Sequence, residues 1–180
     1  MCGKEKIQLS MLVEQGNPRA ILWEVRDNHL HHYSAASFAV VERSFDLIVQ
    51  LFHGSFPGYL ACNTEYHNLS HTLDAFLAAS RLVDGMAIAG RTIQETTAAN
   101  LLLAALFHDT GYIQEESDNA GTGAKYTRVH VDRSIQFVKT NHAPFGIDAM
   151  NVPAICSIIG CTGLRSECAG DFLADDVAAA

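Results

Sequence analysis
The chain has 180 residues, 48% of them hydrophobic, which is enough for one domain with a real core and too little for a second full domain. A formal net charge of −8 and a pI near 5.5 argue against a broad nucleic-acid-binding surface, since affinity for a phosphate backbone rests on clustered lysine and arginine. With that charge small substrates are the better expectation, and the longest apolar run, Leu101 to Phe107, stops at His108, far short of a membrane span.

Met1-Cys2-Gly3-Lys4-Glu5-Lys6 leads into no signal-type apolar core, which predicts a cytoplasmic protein. Cys2, Cys62, Cys156, Cys161 and Cys168 form no Cys-x-x-Cys pair and read as free or buried thiols rather than a zinc ribbon. Residues 1–35 are expected to be an irregular N-terminal extension. Within it Asn17-Pro18 suits a helix start, while Ile21, Leu22, Trp23 and Val25 suit a strand as well.

The first clear helix is Phe38–His53, with Phe38, Val41, Phe45, Ile48, Val49 and Phe52 at helical spacing and a Gly-Ser-Phe-Pro-Gly break at 54–58. A second carries Leu69, Leu73, Phe76, Leu77 and Leu82, with Asn63 or Thr64 able to cap its start and Gly85 to end it. That placement puts His67 and His71 on one helical face, four residues apart. A third runs from an Asn100 cap through strong helix formers to a stop at Gly111. A fourth lies near Val131–Asn141 with Ile135 and Val138 on one side. Pro144 and Gly146 break the chain before Val152–Cys161, which Pro153 begins and Thr162-Gly163 ends. The polar stretch from Gln114 to Arg128 reads as a loop that leaves the site and returns, a substrate lid. With no repeat and no alternating strand series, the fold class is all-α, a single helical bundle.

His108-Asp109 is the most informative pair. A C-terminal helix turn favours a cation, so Asp there is unfavourable without a positive partner, and a frayed helix end lets two adjacent side chains converge on one ion. Together with His71 upstream, this pattern resembles the HD-domain superfamily of metal-dependent phosphohydrolases: a His early in one helix, then an adjacent His-Asp at the end of an apolar helix, then a small residue and glycine. The segment Tyr66-His67-Asn68-x-x-His71-Thr-x-Asp74 is also similar to the corresponding helix of cyclic nucleotide phosphodiesterases. The resemblance covers roughly residues 60–165. It implies an HD-domain-like bundle in which His71, His108 and Asp109 bind metal and His67 donates a proton.

Two imidazoles and a carboxylate suit Mn, Fe, Co, Ni or Zn, and such an ion lowers the pKa of bound water toward about 7, giving a hydroxide to attack phosphorus. On this reading His67 and Asp109 are catalytic, and Lys125 or Arg128 neutralises phosphate oxygens. His130 is either a ligand for a second metal or simply an N-terminal helix residue beside a capping Asp132. Glu115 and Glu116 read as a solvated turn or supporting groups, His29, His31 and His32 as a surface cluster, and His53 and His142 as helix-end residues. The superfamily pattern closes with a later Asp. Asp175 is the candidate, although Asp171, Asp175 and Asp176 also read as a solvated helix face; the alternative is a chain cut short of its closing ligand. The expected function is a phosphohydrolase or phosphodiesterase acting on a nucleotide or other small phosphate ester; the alternative is a catalytically weak metal-binding sensor or interaction module.

Overall fold
The computed structural model describes residues 17–163, and the fold they form is all-α. Six helices follow in order: α1 Pro18–Leu30, α2 Ala35–Phe52, α3 Leu69–Ile88, α4 Glu95–Phe107, α5 His130–Phe145 and α6 Val152–Gly160. Two short 3-10 turns, Thr110–Tyr112 and Gly123–Tyr126, lie between α4 and α5. Among the described residues there is no strand, only one isolated bridge between Tyr59 and Glu115, and no helix is long and apolar enough to cross a membrane.

Local chemistry explains the starts. The Asn17 side chain accepts from the backbone N–H groups of Arg19 and Ala20, with Pro18 in the first turn, so Pro18–Leu30 is helical where irregular chain or a strand was also open. Ser34 caps α2 by accepting from Ser37, and Asn68 caps α3 by accepting from His71. That last cap corrects the sequence reading, because α3 begins at Leu69 and leaves His67 outside it. Gly85 lies within α3, which continues to Ile88. α4 also starts earlier than expected: Glu95 opens it, and Asn100 is a buried interior residue rather than a cap.

The core gathers on α4. It packs against α2, α3 and α6, and Ala98, Leu102, Leu103, Leu106 and Phe107 are all buried, as expected of a helix apolar nearly all round. From α2 come Phe38, Val41, Phe45, Ile48 and Leu51; Phe45 meets Phe76 of α3 at a ring distance of 5.8 Å. Phe107 meets Phe145 of α5 edge-on at 4.9 Å, and Phe56 stacks on Phe145 at 5.5 Å. Because the core clamps α4 on several sides, whatever follows Phe107 is delivered to a fixed place.

Candidate metal centre
His108 caps the C-terminus of α4, and Asp109 follows with φ −108° and ψ 7°, turning the chain into the 3-10 turn. That turn is locked onto α5. Ser134 accepts from the Gly111 N–H at 2.8 Å and donates to the His108 carbonyl at 2.7 Å, while Arg133 donates to the carbonyls of Gly111 and Ile113. Only glycine fits at 111, because a Cβ there would stand 2.0 Å from the His130 carbonyl oxygen. The small-residue-glycine step after His108-Asp109 is thus a close backbone crossing that brings His130, the first residue of α5, to the site.

Asp109 is 1% exposed, and four imidazoles surround it. His67 Nδ1 lies 2.9 Å, His108 Nε2 3.2 Å and His71 Nε2 3.4 Å from Asp109 Oδ2; His130 Nε2 lies 4.0 Å from the other oxygen, Oδ1. These residues come from the segment before α3, from α3 itself, from the end of α4 and from the start of α5, so tertiary packing assembles the site. His67 and His71 do meet, with rings 5.4 Å apart, although not as neighbours on one helix.

Two ring tautomers follow from backbone partners. His108 Nδ1 is 2.9 Å from the Ala105 carbonyl and His130 Nδ1 is 2.8 Å from the Thr127 carbonyl. A carbonyl only accepts, so each Nδ1 carries a hydrogen and each Nε2 is the nitrogen aimed at Asp109, free to donate to the carboxylate when protonated or to offer its lone pair to a cation when not. Backbone carbonyls orient metal-binding imidazoles in this way.

Burial pushes the Asp109 carboxyl upward, but hydrogen bonds and charge from His108 and His67 outweigh it and hold the group below its ordinary range. Burial would lower His108, yet its hydrogen bond to Asp109, the Asp109 charge and the Ala105 carbonyl raise it. His71 is lowered, chiefly by burial and then by the neighbouring His108 and His67, against the pull of Asp109 and Asp74.

The donor set fits a divalent cation. Two ligand atoms at about 2.0–2.2 Å from one ion stand about 2.8–3.6 Å apart at octahedral or tetrahedral angles, which is the spacing found between Asp109 and the imidazoles of His67, His108 and His71. The ligand atoms of His67, His71 and Asp109 lie within 4.8 Å of one another, so His67 belongs with the metal-competent group and is not set apart from it. Every ion-pair contact of Asp109 among the described residues is to an imidazole, so no lysine or arginine neutralises this buried carboxylate.

The centre opens on a cavity of about 420 Å³. His67, His71, His108, His130 and Asp109 line it, and Ala75, Leu101, Ala104, Ala105 and Ile158 supply an apolar wall, with Thr162 the remaining lining residue among those described. Lys125 and Arg128, expected to bind substrate, do not line it. Lys125 donates to Asp118 at 2.5 Å and to the Ala120 carbonyl at 2.7 Å, and Tyr126 also donates to Asp118, so the Lys125 charge is met within the loop, while Arg128 is exposed. Arg133 covers the Tyr126 ring at 3.7 Å, and Asn63 ties the loop down by donating to Gln114 and accepting from Gly123. The stretch expected as a lid is therefore a braced loop. Glu115 and Glu116 are exposed, and Asp175 lies outside the described residues.

Tyr112 was not anticipated. It is 2% exposed, stacks on His67 at 4.2 Å with planes 13° apart, and stacks on His130 at 4.5 Å. Its position three residues after Asp109 was visible, but only the 3-10 turn sends it back to the imidazoles. His53 and His142 sit at helix ends as expected, at the C-terminus of α2 and in the last turn of α5. His29 departs from the surface reading: it is 3% exposed and packed against Tyr33 and Phe38. In comparisons with known proteins, no family model, no curated protein and no solved structure matches this chain.

Proposed function
We propose that this chain is an HD-type metal-dependent phosphohydrolase or phosphodiesterase acting on a nucleotide or other small phosphate ester. The observation that carries the reading is the buried Asp109 carboxylate ringed by His67, His71, His108 and His130, all lining a cavity whose other described residues are apolar save Thr162. In the proposal His71, His108 and Asp109 hold a divalent transition metal, with Mn, Fe, Co, Ni and Zn all compatible with the donor set. Such an ion supplies positive charge for phosphate oxygens and a bound water whose pKa falls toward about 7.

The protein groups have separable tasks. Asp109 gathers the imidazoles, and the Ala105 carbonyl keeps the His108 lone pair aimed at the centre. His67 faces the cavity against the flat of Tyr112 and carries the proton to the leaving oxygen. His130, nearest the second carboxylate oxygen, is the candidate ligand for a second ion. The apolar wall accepts the non-phosphate part of a substrate, such as a base or short apolar group.

One observation favours a second reading. Among the described residues no lysine or arginine lines the cavity, so phosphate recognition by them would rest on metal alone, and a metal-binding sensor or interaction module needs no such cation. Metal-depleted protein reloaded with each ion and assayed on phosphomonoesters and phosphodiesters separates the two. Turnover that disappears in Asp109→Asn supports the hydrolase; tight metal binding without turnover on any ester supports the module.

A further inference from the structure
A second gathering of metal-ligating side chains lies away from the Asp109 cavity. His31, at the C-cap of α1, and His32, just after it, converge on Asp84 near the end of α3. His32 Nε2 lies 2.8 Å and His31 Nδ1 3.5 Å from the same oxygen, Asp84 Oδ1, and the three ligand atoms lie within 4.8 Å of one another. Donors on one ion stand about 2.8–3.6 Å apart, so this triangle needs little adjustment to close on a cation.

Two further observations point to a cation. Asn28 bonds Ser80 and His32 bonds Asp84, so the register between α1 and α3 advances in the same direction, and the C-terminal ends of both helices approach this spot. Helix C-termini carry partial negative charge and favour a positive ion. Moreover, the ion-pair partners of Asp84 among the described residues are both imidazoles, whereas nearby Arg81 is directed to Glu24. A carboxylate and two imidazoles form a mixed nitrogen and oxygen set that suits zinc, cobalt or nickel rather than calcium or magnesium.

We propose that His31, His32 and Asp84 bind a divalent zinc-type cation that clips the end of α1 to α3, with solvent completing the coordination. The clip is structural. Its side chains are 64%, 20% and 21% exposed, so an ion there is reached from solvent without entering the cavity. It does not depend on the proposed hydrolase activity.

The test uses the full chain, stripped with chelator and titrated with zinc or cobalt by calorimetry, in an Asp109→Asn background that disables the other centre. The proposal expects one ion bound per chain in that background, together with a rise in melting temperature. Adding Asp84→Asn is expected to weaken that equivalent at least about 10–100-fold and to abolish the rise. His31→Ala, at an exposed position, gives the same loss if Asp84→Asn folds poorly. No bound equivalent in Asp109→Asn, or an equivalent unchanged by both Asp84→Asn and His31→Ala, overturns the proposal.

Discussion

Asp109 and Asp84 each gather histidines, but they do so in opposite surroundings. Asp109 is 1% exposed at the end of the most buried helix, with four imidazoles within 4.0 Å of its carboxylate; Asp84 is 21% exposed on the seam of α1 and α3, with two. Burial makes the difference. A carboxylate in the core loses its hydration and must be compensated by many hydrogen bonds or by a cation, whereas a partly solvated one costs little when left alone. The first cluster is therefore tied into the fold through Ser134, Gly111 and the Ala105 carbonyl, while the second is made of side chains at a helix end.

The largest expected difference between the clusters is catalytic. His67→Ala should lower turnover about 10²–10⁴-fold, the usual loss for a proton-transfer group, while His32→Ala leaves it unchanged. Metal analysis of the same variant sharpens the assignment: retained metal keeps His67 as proton carrier, and metal loss equal to that of Asp109→Ala makes it a ligand. Next comes the support beneath the buried cluster. Phe107→Ala, directly before His108, should cost about 3–5 kcal/mol in urea denaturation. Ser134→Ala leaves the buried Gly111 N–H without its acceptor and should cost about 1–3 kcal/mol. It should also weaken metal binding, because His108 and the start of α5 lose their tie; unchanged affinity would mean that the imidazoles hold their places without it.

The pH dependence of the metal-free protein separates the clusters further. The Asp109 carboxyl lies below its ordinary value in the fold, so its stabilising contribution is present above about pH 4 and disappears as pH falls through the folded pKa. His108 is raised, so its contribution is complete below about pH 6.5 and is lost as pH rises through the folded pKa. His71, lowered, works against it by favouring the neutral form as pH rises. Denaturation midpoints of wild type and Asp109→Asn in chelator should differ most between about pH 4 and 6.5, and the difference should shrink as pH falls through the folded Asp109 pKa and as it rises through the raised His108 pKa. A difference that stays constant from below the folded Asp109 pKa to above the folded His108 pKa would contradict the assigned pairing. The smallest effect is expected at the exposed cluster: without metal, Asp84→Asn should change stability by less than about 1 kcal/mol.

Much of this was legible in the sequence, and what was missed has local causes. The helical spacing of Phe38, Val41, Phe45 and Ile48 was sufficient to find α2, and the abrupt change from leucines to His108-Asp109 marked the site. The start of α3 was ambiguous because Asn63, Thr64 and Asn68 are all good capping residues. Asn68 takes the role, and Asn63 instead holds the 114–128 loop, a contact across 60 residues that no local pattern announces. Asn100 looked like a cap because α4 begins without one: Gln94 makes no side-chain cap, and Glu95 reaches across to Ser34 and Ser37. That reach holds the Glu95 carboxyl down at about 2. Lys125 suggested a phosphate ligand until Asp118, seven residues earlier, proved to be its partner.

The central claim is that the imidazoles around Asp109 are metal ligands. X-ray absorption at the metal edge of cobalt- or zinc-loaded Asp84→Asn protein, in which the exposed cluster is disabled, tests it most directly. The account predicts nitrogen and oxygen donors at about 2.0–2.2 Å with the back-scattering of at least two imidazoles, diminished in His71→Ala. A bound ion surrounded by oxygen alone, or an imidazole signal unchanged in His71→Ala, would contradict it.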